Sequence, residues 1–318
     1  MVTIDLSTPP PPAESVLEAL PRRVALTLPE LTLAARLAGD APLPFTPADP
    51  VAEAEPLAGR LGATRPSRED EAYAAAMASL HDPEGTLTRR GLLVDGALDA
   101  GVAGAIGLLA TPALALDIDV SLARCQAKAW HRYNHGAVAT LSTSDGIVFE
   151  LAWFPVAHWT DELARVTAAP RDDEGEPART SGVPEHVDLP YALVDAVGEA
   201  LRSGRGDLVT VLVGQQDLDV RVGREVVDGA VAATVVSALH TESHGRLRVL
   251  AAEVAADVAT DVGVVSWVLL ADGWHSITPH QEGEAARVAV RRVDPEQLAT
   301  ELAPVLARVI RLQEGHDE

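Results

Sequence analysis

The chain has 318 residues, 47% of them hydrophobic, and a formal net charge of −22 at pH 7. A nucleic-acid backbone or an anionic membrane requires a basic surface, so this balance excludes either as the main partner. Cys125 is the single cysteine, which leaves no disulfide framework, and no window of about 18 uninterrupted apolar residues calls for membrane insertion; a cytoplasmic protein is expected.

Residues 1–20 contain STPPPPAES, a run whose prolines cannot join a packed core, and are expected to form a flexible tail. A single domain then spans 21–314 in two halves, about 21–169 and 191–314. The charged, proline-rich stretch 170–190 (PRDDEGEPARTSGVPEHVDLP) reads as the linker between them.

In the first half, LPELTLAARLAG (28–39) reads as a short helix. SREDEAYAAAMASLHD follows with Ser67 and Asp70 at capping-box spacing, and GALDAGVAGAIGLLATP is a third helix. ALDIDVSLARCQAKAWHRYNH supplies two strands, VATLSTSDGIVFELAWFP a hairpin about Asp145-Gly146, and residues 156–167 a helix. In the second half, LPYALVDAVGEALRSG and REVVDGAVAATVVSALH read as helices. GDLVTVLVGQQ is ambiguous, because its β-branched run favours a strand. HGRLRVLAAEV is a strand, VVSWVLLADGWHSITP a hairpin about Asp272-Gly273, and ARVAVRRV a further strand. PEQLATELAPVLARVIRLQ is a closing helix, with Asp294 as N-cap, Pro295 in its first turn and Pro304 as a kink.

Two copies of strands, hairpin and helix predict an α+β fold with a pseudo-twofold repeat. Asp-Gly is the strongest short hairpin signal, and as a two-residue turn it sets a register. Trp267 then faces Thr278, Leu269 faces Ser276 and Leu270 faces His275. Trp267, Leu269, Trp274, Ser276 and Thr278 share one face, and Val268, Leu270, His275 and Ile277 share the other. The same rule pairs Phe149 with Ser142, Leu151 with Thr140 and Trp153 with Val138. Alignment of the two Asp-Gly turns makes these equivalent faces, each mixing aromatics with hydroxyls. Phe149, Leu151, Trp153, Trp267, Leu269 and Trp274 are therefore the candidate partner-binding residues.

Catalytic patterns are sparse. There is no phosphate-binding GxxxxGK[ST] loop and no GxSxG elbow. The glycines of GVAGAIG sit within an apolar helix and read as close packing, and Cys125 reads as a small buried apolar residue. The pairs His131/His135 and His240/His244 have ligand-like spacing, but the first lies on a strand and the second at a helix end. Asp117 and Asp119 alternate with apolar residues and read as the solvated side of a strand. His240, Glu242 and His244 form the best available catalytic constellation, the basis of an alternative reading as a metal-dependent hydrolase. No nucleophile, base and orienting group come together, so neither a cofactor nor enzymatic activity is expected.

In order along the chain, ALTLPELTLAARLAG, PLPF (42–45), RRGLLVDGALDAG, LLATP, LDIDV, the two Asp-Gly hairpins and PEQLATELAPVLARV resemble the EspG family, the ESX (type VII) secretion-associated proteins of actinobacteria. The resemblance spans about residues 24–310. It implies antiparallel strand–hairpin–helix units around a central sheet, flanked by helical bundles, and tips GDLVTVLVGQQ towards helix. It further implies a cytosolic chaperone that covers the apolar tip of a helical PE–PPE-like client, with contacts from the sheet and the C-terminal helical region. A third reading keeps the fold as a scaffold without a secretion client.

Overall fold

A computed structural model describes residues 21–46, 68–123, 125–168, 180–215, 219–255 and 258–304. The expected tail, the Ser67 cap, residues 170–179 of the expected linker and the helix beyond Pro304 lie outside them. Two compact units emerge. One holds residues 1–115, 127–159 and 254–258, and the other holds 116–126, 160–253 and 259–318.

The first unit opens with β1 (Arg22–Thr27) and α1 (Leu28–Leu37). Thr27 and Glu30 close a capping box: the Thr27 hydroxyl accepts from the Glu30 N–H, and the Glu30 carboxylate accepts from the Thr27 N–H at 2.8 Å. Helices α2 (Arg68–Ala78) and α3 (Pro83–Arg89) follow. A minimal hairpin, β2 (Leu93–Val94) and β3 (Ala97–Leu98), leads into α4 (Ala100–Ala110), which Asp99 caps through the Val102 N–H. The chain continues through β4 (Leu114–Leu122), β5 (Cys125–Asn134), β6 (Ala137–Thr143), β7 (Val148–Pro155) and α5 (Trp159–Thr167), with residues 116–122 of β4 and 160–167 of α5 belonging to the second unit.

The rest of the chain repeats this order: β8 (His186–Pro190), α6 (Tyr191–Arg202), α7 (Val209–Gln215), a minimal hairpin of β9 (Arg221–Val222) and β10 (Glu225–Val226), and α8 (Gly229–Thr241), capped by Asp228. Strands β11 (Gly245–Ala255), β12 (Val258–Leu270), β13 (Gly273–Glu282) and β14 (Ala285–Arg292) follow, and a closing helix begins at 297. Its start differs in detail from the expected cap: the Asp294 N–H donates to the Gln297 side chain at 2.7 Å. Gln297 thus supplies the backward half of a capping box.

Within the units the strands order as β1-β7-β6-β5 and as β4-β11-β12-β13-β14-β8-β9-β10. The antiparallel partner of β7 is β1 and that of β14 is β8, so each repeat returns its opening strand to its last one. The repeat is longer than the strand–hairpin–helix unit read from sequence, and its second copy begins inside the expected linker. Val183 is buried, β8 is fully paired, and the Glu242 carboxylate accepts from the Ser181 hydroxyl (2.6 Å) and the Gly182 N–H (3.0 Å). GDLVTVLVGQQ is helical over 209–215, as the resemblance implied and against its β-branched composition. Leu212 and Val213 pack on the second unit's core, so tertiary burial outweighs local propensity. Cys125 differs from expectation in being exposed, at the first position of β5.

Both hairpin registers depart from a two-residue Asp-Gly turn. In the second, Leu270 pairs with Gly273, Leu269 with Trp274 and Trp267 with Ser276. The turn residues are therefore Ala271 and Asp272. Positive φ falls on Gly273 (129°), after the turn rather than within it. Each partner moves by two residues, and because side chains alternate the faces are unchanged.

In the first hairpin Ser142 pairs with Glu150, Leu141 with Leu151 and Ala139 with Trp153. Here the displacement is one residue, and the faces change. Phe149, Leu151 and Trp153 share a side with Leu141 and Ala139, while Thr140 and Ser142 point to the other. The loop's own side chains cause the shift. The Asp145 carboxylate accepts from the N–H groups of Ile147 and Val148, and the Thr143 hydroxyl accepts from Gly146 N–H and donates to Val148 C=O. Those bonds stabilise a longer loop than two residues.

Nor are the two Asp-Gly turns equivalent. Asp272 lies between the second and third strands of its four-strand run, and Asp145 between the third and fourth. The true counterpart of Ala271-Asp272 is His135-Gly136, with φ of 45° and 76°.

Gly245 is closely hemmed in within the second unit's sheet. A Cβ there would lie 2.6 Å from Leu122 Cδ2 on β4 and 3.0 Å from Leu269 Cβ on β12. The Leu122 tip can rotate away, but the Leu269 Cβ is fixed to the backbone. Gly245→Ala is therefore expected to lower unfolding stability by about 1–3 kcal/mol through overpacking. Urea titration of the two proteins measures it, with an unchanged slope.

Candidate partner-binding surface

The tryptophan face of the second unit is closed by its own chain. Trp267 and Trp274 lie with ring centroids 6.3 Å apart, and each is almost wholly buried. A buried indole N–H needs an acceptor. Trp267 donates to the Glu301 carboxylate of the closing helix at 2.9 Å, and Trp274 to the Thr167 carbonyl at the end of α5, also at 2.9 Å. Leu269 is half-buried against Gly245.

In the first unit Phe149 and Leu151 belong to the core beneath α1 and α4. Phe45 stacks on both Trp130 and Phe149, with centroids 5.0 Å apart in each case. Trp153 is half-buried over Gly101 of α4, where a Cβ would come within 2.8 Å of the indole. Of the six candidates, Phe149, Leu151, Trp267 and Trp274 thus have their apolar surface committed internally. The two aromatic faces are also not equivalent. By register, the counterpart of Trp267 is His131, each the fourth pair back from its turn. His131 faces away from Trp153, and its Nδ1 accepts from the Trp159 indole of α5 at 3.0 Å.

The residues of the hydrolase alternative hold structural positions. His240 Nε2 bonds the Val194 carbonyl at 3.0 Å, and its ring fills the space left by Gly198, where a Cβ would come within 2.8 Å. Burial, together with the nearby charges of Arg202 and Arg246, holds His240 below the usual histidine range, against the opposing effect of the Val194 bond. The Glu242 carboxylate is occupied by Ser181 and Gly182, and His244 Nδ1 bonds the Glu242 carbonyl. Among the described residues no group of three or more His, Cys, Asp or Glu side chains is arranged to hold a metal.

Among the described residues, those of the second unit leave exposed the opposite side of β4 and β11, together with Val264 of β12. Leu116, Ile118 and Val120 on β4 are buried, as are Leu247, Val249 and Ala251 on β11. Gly245, wedged between Leu122 and Leu269, shows that these rows share one side with Trp267. On the other side Asp119 and Ser121 of β4, Arg246, Arg248 and Leu250 of β11, and Val264 of β12 are exposed. Helices α6 and α8 cover that same side further along, over Val268, Leu270, Val288 and Val290. Arg246 lies near His240 at the end of α8, so the strip begins where the helical cover stops. The helical side of the second unit also carries exposed apolar groups: Val211 on α7, Val226 on the short strand β10 and Val231 on α8.

Sequence reasoning passed over this strip. Its signal is Arg246-Leu247-Arg248-Val249, strict alternation on a strand with both charged positions on one side.

Two outcomes follow from the closed faces. Trp267→Phe keeps a six-membered aromatic ring but removes the N–H that Glu301 accepts and part of the buried indole, and should cost about 1–3 kcal/mol in urea unfolding. His240 has a folded-state value below its ordinary 6.5, so the unfolded chain takes up its proton first on acidification. Its stabilising contribution is present above that ordinary value and is lost as the pH falls through it towards the folded value. Urea titrations of the protein and of His240→Gln at about pH 7.5 and about pH 5.5 should show a smaller acid loss in the variant.

No family model and no curated protein sequence matches the chain. Among solved structures it is similar to the type VII secretion system chaperone EspG5 of Mycobacterium tuberculosis, determined in complex with a PE25–PPE41 dimer. The likeness covers 90% of this chain and 96% of that one, with a TM-score of 0.54 and 13% identity. At that identity it speaks to architecture, and the chain has an EspG-like α+β fold.

Proposed function

We propose that the chain is a cytosolic, substrate-specific chaperone of type VII (ESX) secretion that binds the apolar tip of a helical PE–PPE-like client before export. The observation that carries this reading is the EspG-like fold over nearly the whole chain, with a solved neighbour that carries a PE–PPE dimer. The structural positions of His240, Glu242 and His244 support it against the hydrolase alternative.

In this reading the client meets the second unit on the open strip and its neighbouring helices. Leu250 and Val264 are the apolar points of the strip, and Val211, Val226 and Val231 those of the helical group. Such scattered aliphatics can cover a client's apolar end while leaving the free protein soluble. Trp267 and Trp274 support the second unit's sheet from within, and Leu269 offers only its exposed edge.

Co-expression with PE–PPE-like pairs from the same genome should give a ternary complex in gel filtration. Failure with every such pair would sink the proposal. Val211→Asp combined with Val226→Asp should weaken the complex about tenfold or more, while Trp267→Phe should leave it intact.

A further inference from the structure

Arg246 and Arg248 leave the same side of β11, two residues apart, and both are exposed. The chain has 47 acidic residues against 25 lysines and arginines, yet among the described residues neither guanidinium has a carboxylate partner. Asp119, exposed on the same side of the neighbouring β4, does not pair with them. A guanidinium offers a planar fork suited to a carboxylate. Leu250 continues the Arg246/Arg248 row along β11, and Val264 is exposed on β12, the next strand. Among the described residues the strip therefore presents two cations without a carboxylate partner, together with two aliphatic side chains.

We propose that this strip docks a segment of the client that is both apolar and acidic, its carboxylates meeting Arg246 and Arg248 and its apolar side chains lying on Leu250 and Val264. The identity of the occupant as a client rests on the reading above; its charge comes from the strip itself. The chain's net negative charge does not forbid such a partner. At physiological salt, interactions between exposed charges fade beyond about 8 Å, so the distant acidic groups are screened while two arginines in contact are not. Charge of this kind sets register and selects between partners more than it adds affinity.

Two fluorescent helical peptides with the same leucine face, one flanked by glutamates and one by lysines, test the proposal by anisotropy with the full chain. The glutamate peptide should bind and weaken as salt rises, and the lysine peptide should not bind. Arg246→Glu with Arg248→Glu should weaken the glutamate peptide about tenfold and admit the lysine peptide. Arg246→Gln with Arg248→Gln should remove the discrimination, with thermal unfolding confirming that both variants are folded. Equal binding of the two peptides, or glutamate-peptide binding unchanged in the charge-reversed variant, would overturn the proposal. So would a tenfold gain in glutamate-peptide binding when Asp172, Asp173, Glu174 and Glu176 are neutralised, because the chain's own acidic segment would then be the occupant. A protein that discriminates the peptides but captures no PE–PPE-like pair retains the docking strip and loses the chaperone reading. One that captures the pair but ignores peptide charge does the reverse.

Discussion

A buried indole N–H cannot be left without an acceptor, and in both repeats that requirement ties a helix to the strands before it. In the first unit Trp159 of α5 donates to His131 on β5. In the second, Trp267 on β12 donates to Glu301 of the closing helix. The two strand positions are equivalent by register, so the repeats make the same attachment with the indole on opposite partners. An unsatisfied buried donor costs about 1–3 kcal/mol, enough to select the helix position that satisfies it. In the second unit that side of the sheet is thereby closed by helices of the same chain.

The other side is only partly covered. In the second unit α6 and α8 pack over β12, β13, β14 and β8, and β4 with β11 extends past them. Alternation then separates two roles along one strand: Leu247 and Val249 build the core, and Arg246 and Arg248 face solvent. The proposed docking strip is made of residues that are chemically ordinary and differ from their neighbours only in which side they occupy. Tryptophan, the residue type most often found as an interface anchor, is used here for internal attachment.

Much of the element order was legible in the sequence, because capping, period and turn residues are local. The helix after Pro190 and all four strands after Gly245 fall close to where their patterns place them, whereas the helix read from Arg224 begins only at Gly229, because Glu225 and Val226 pair as β10. Register was less legible. For Asp272 the displacement was even, and the predicted faces survived. For Asp145 it was odd, since Asp145 and Thr143 spend their side-chain oxygens on loop N–H groups, and the hydroxyls moved to the side opposite Phe149 and Trp153. The candidate site inherited that error and a second one, the alignment of two turns that occupy different places in the repeat.

By itself the sequence determined the α+β class and the net negative charge, both of which depend on composition and on patterns a few residues long. It also determined the two sides of β12 and β13, since alternation is a property of the strand alone. Only the tertiary structure decided which side each helix covers, and therefore that Trp267 and Trp274 are closed while Arg246 and Arg248 are open. The physical reason is that burial is a relation between elements distant in the chain, such as Trp267 with Glu301 or Gly182 with Glu242. No local pattern records which of two apolar faces a helix will reach.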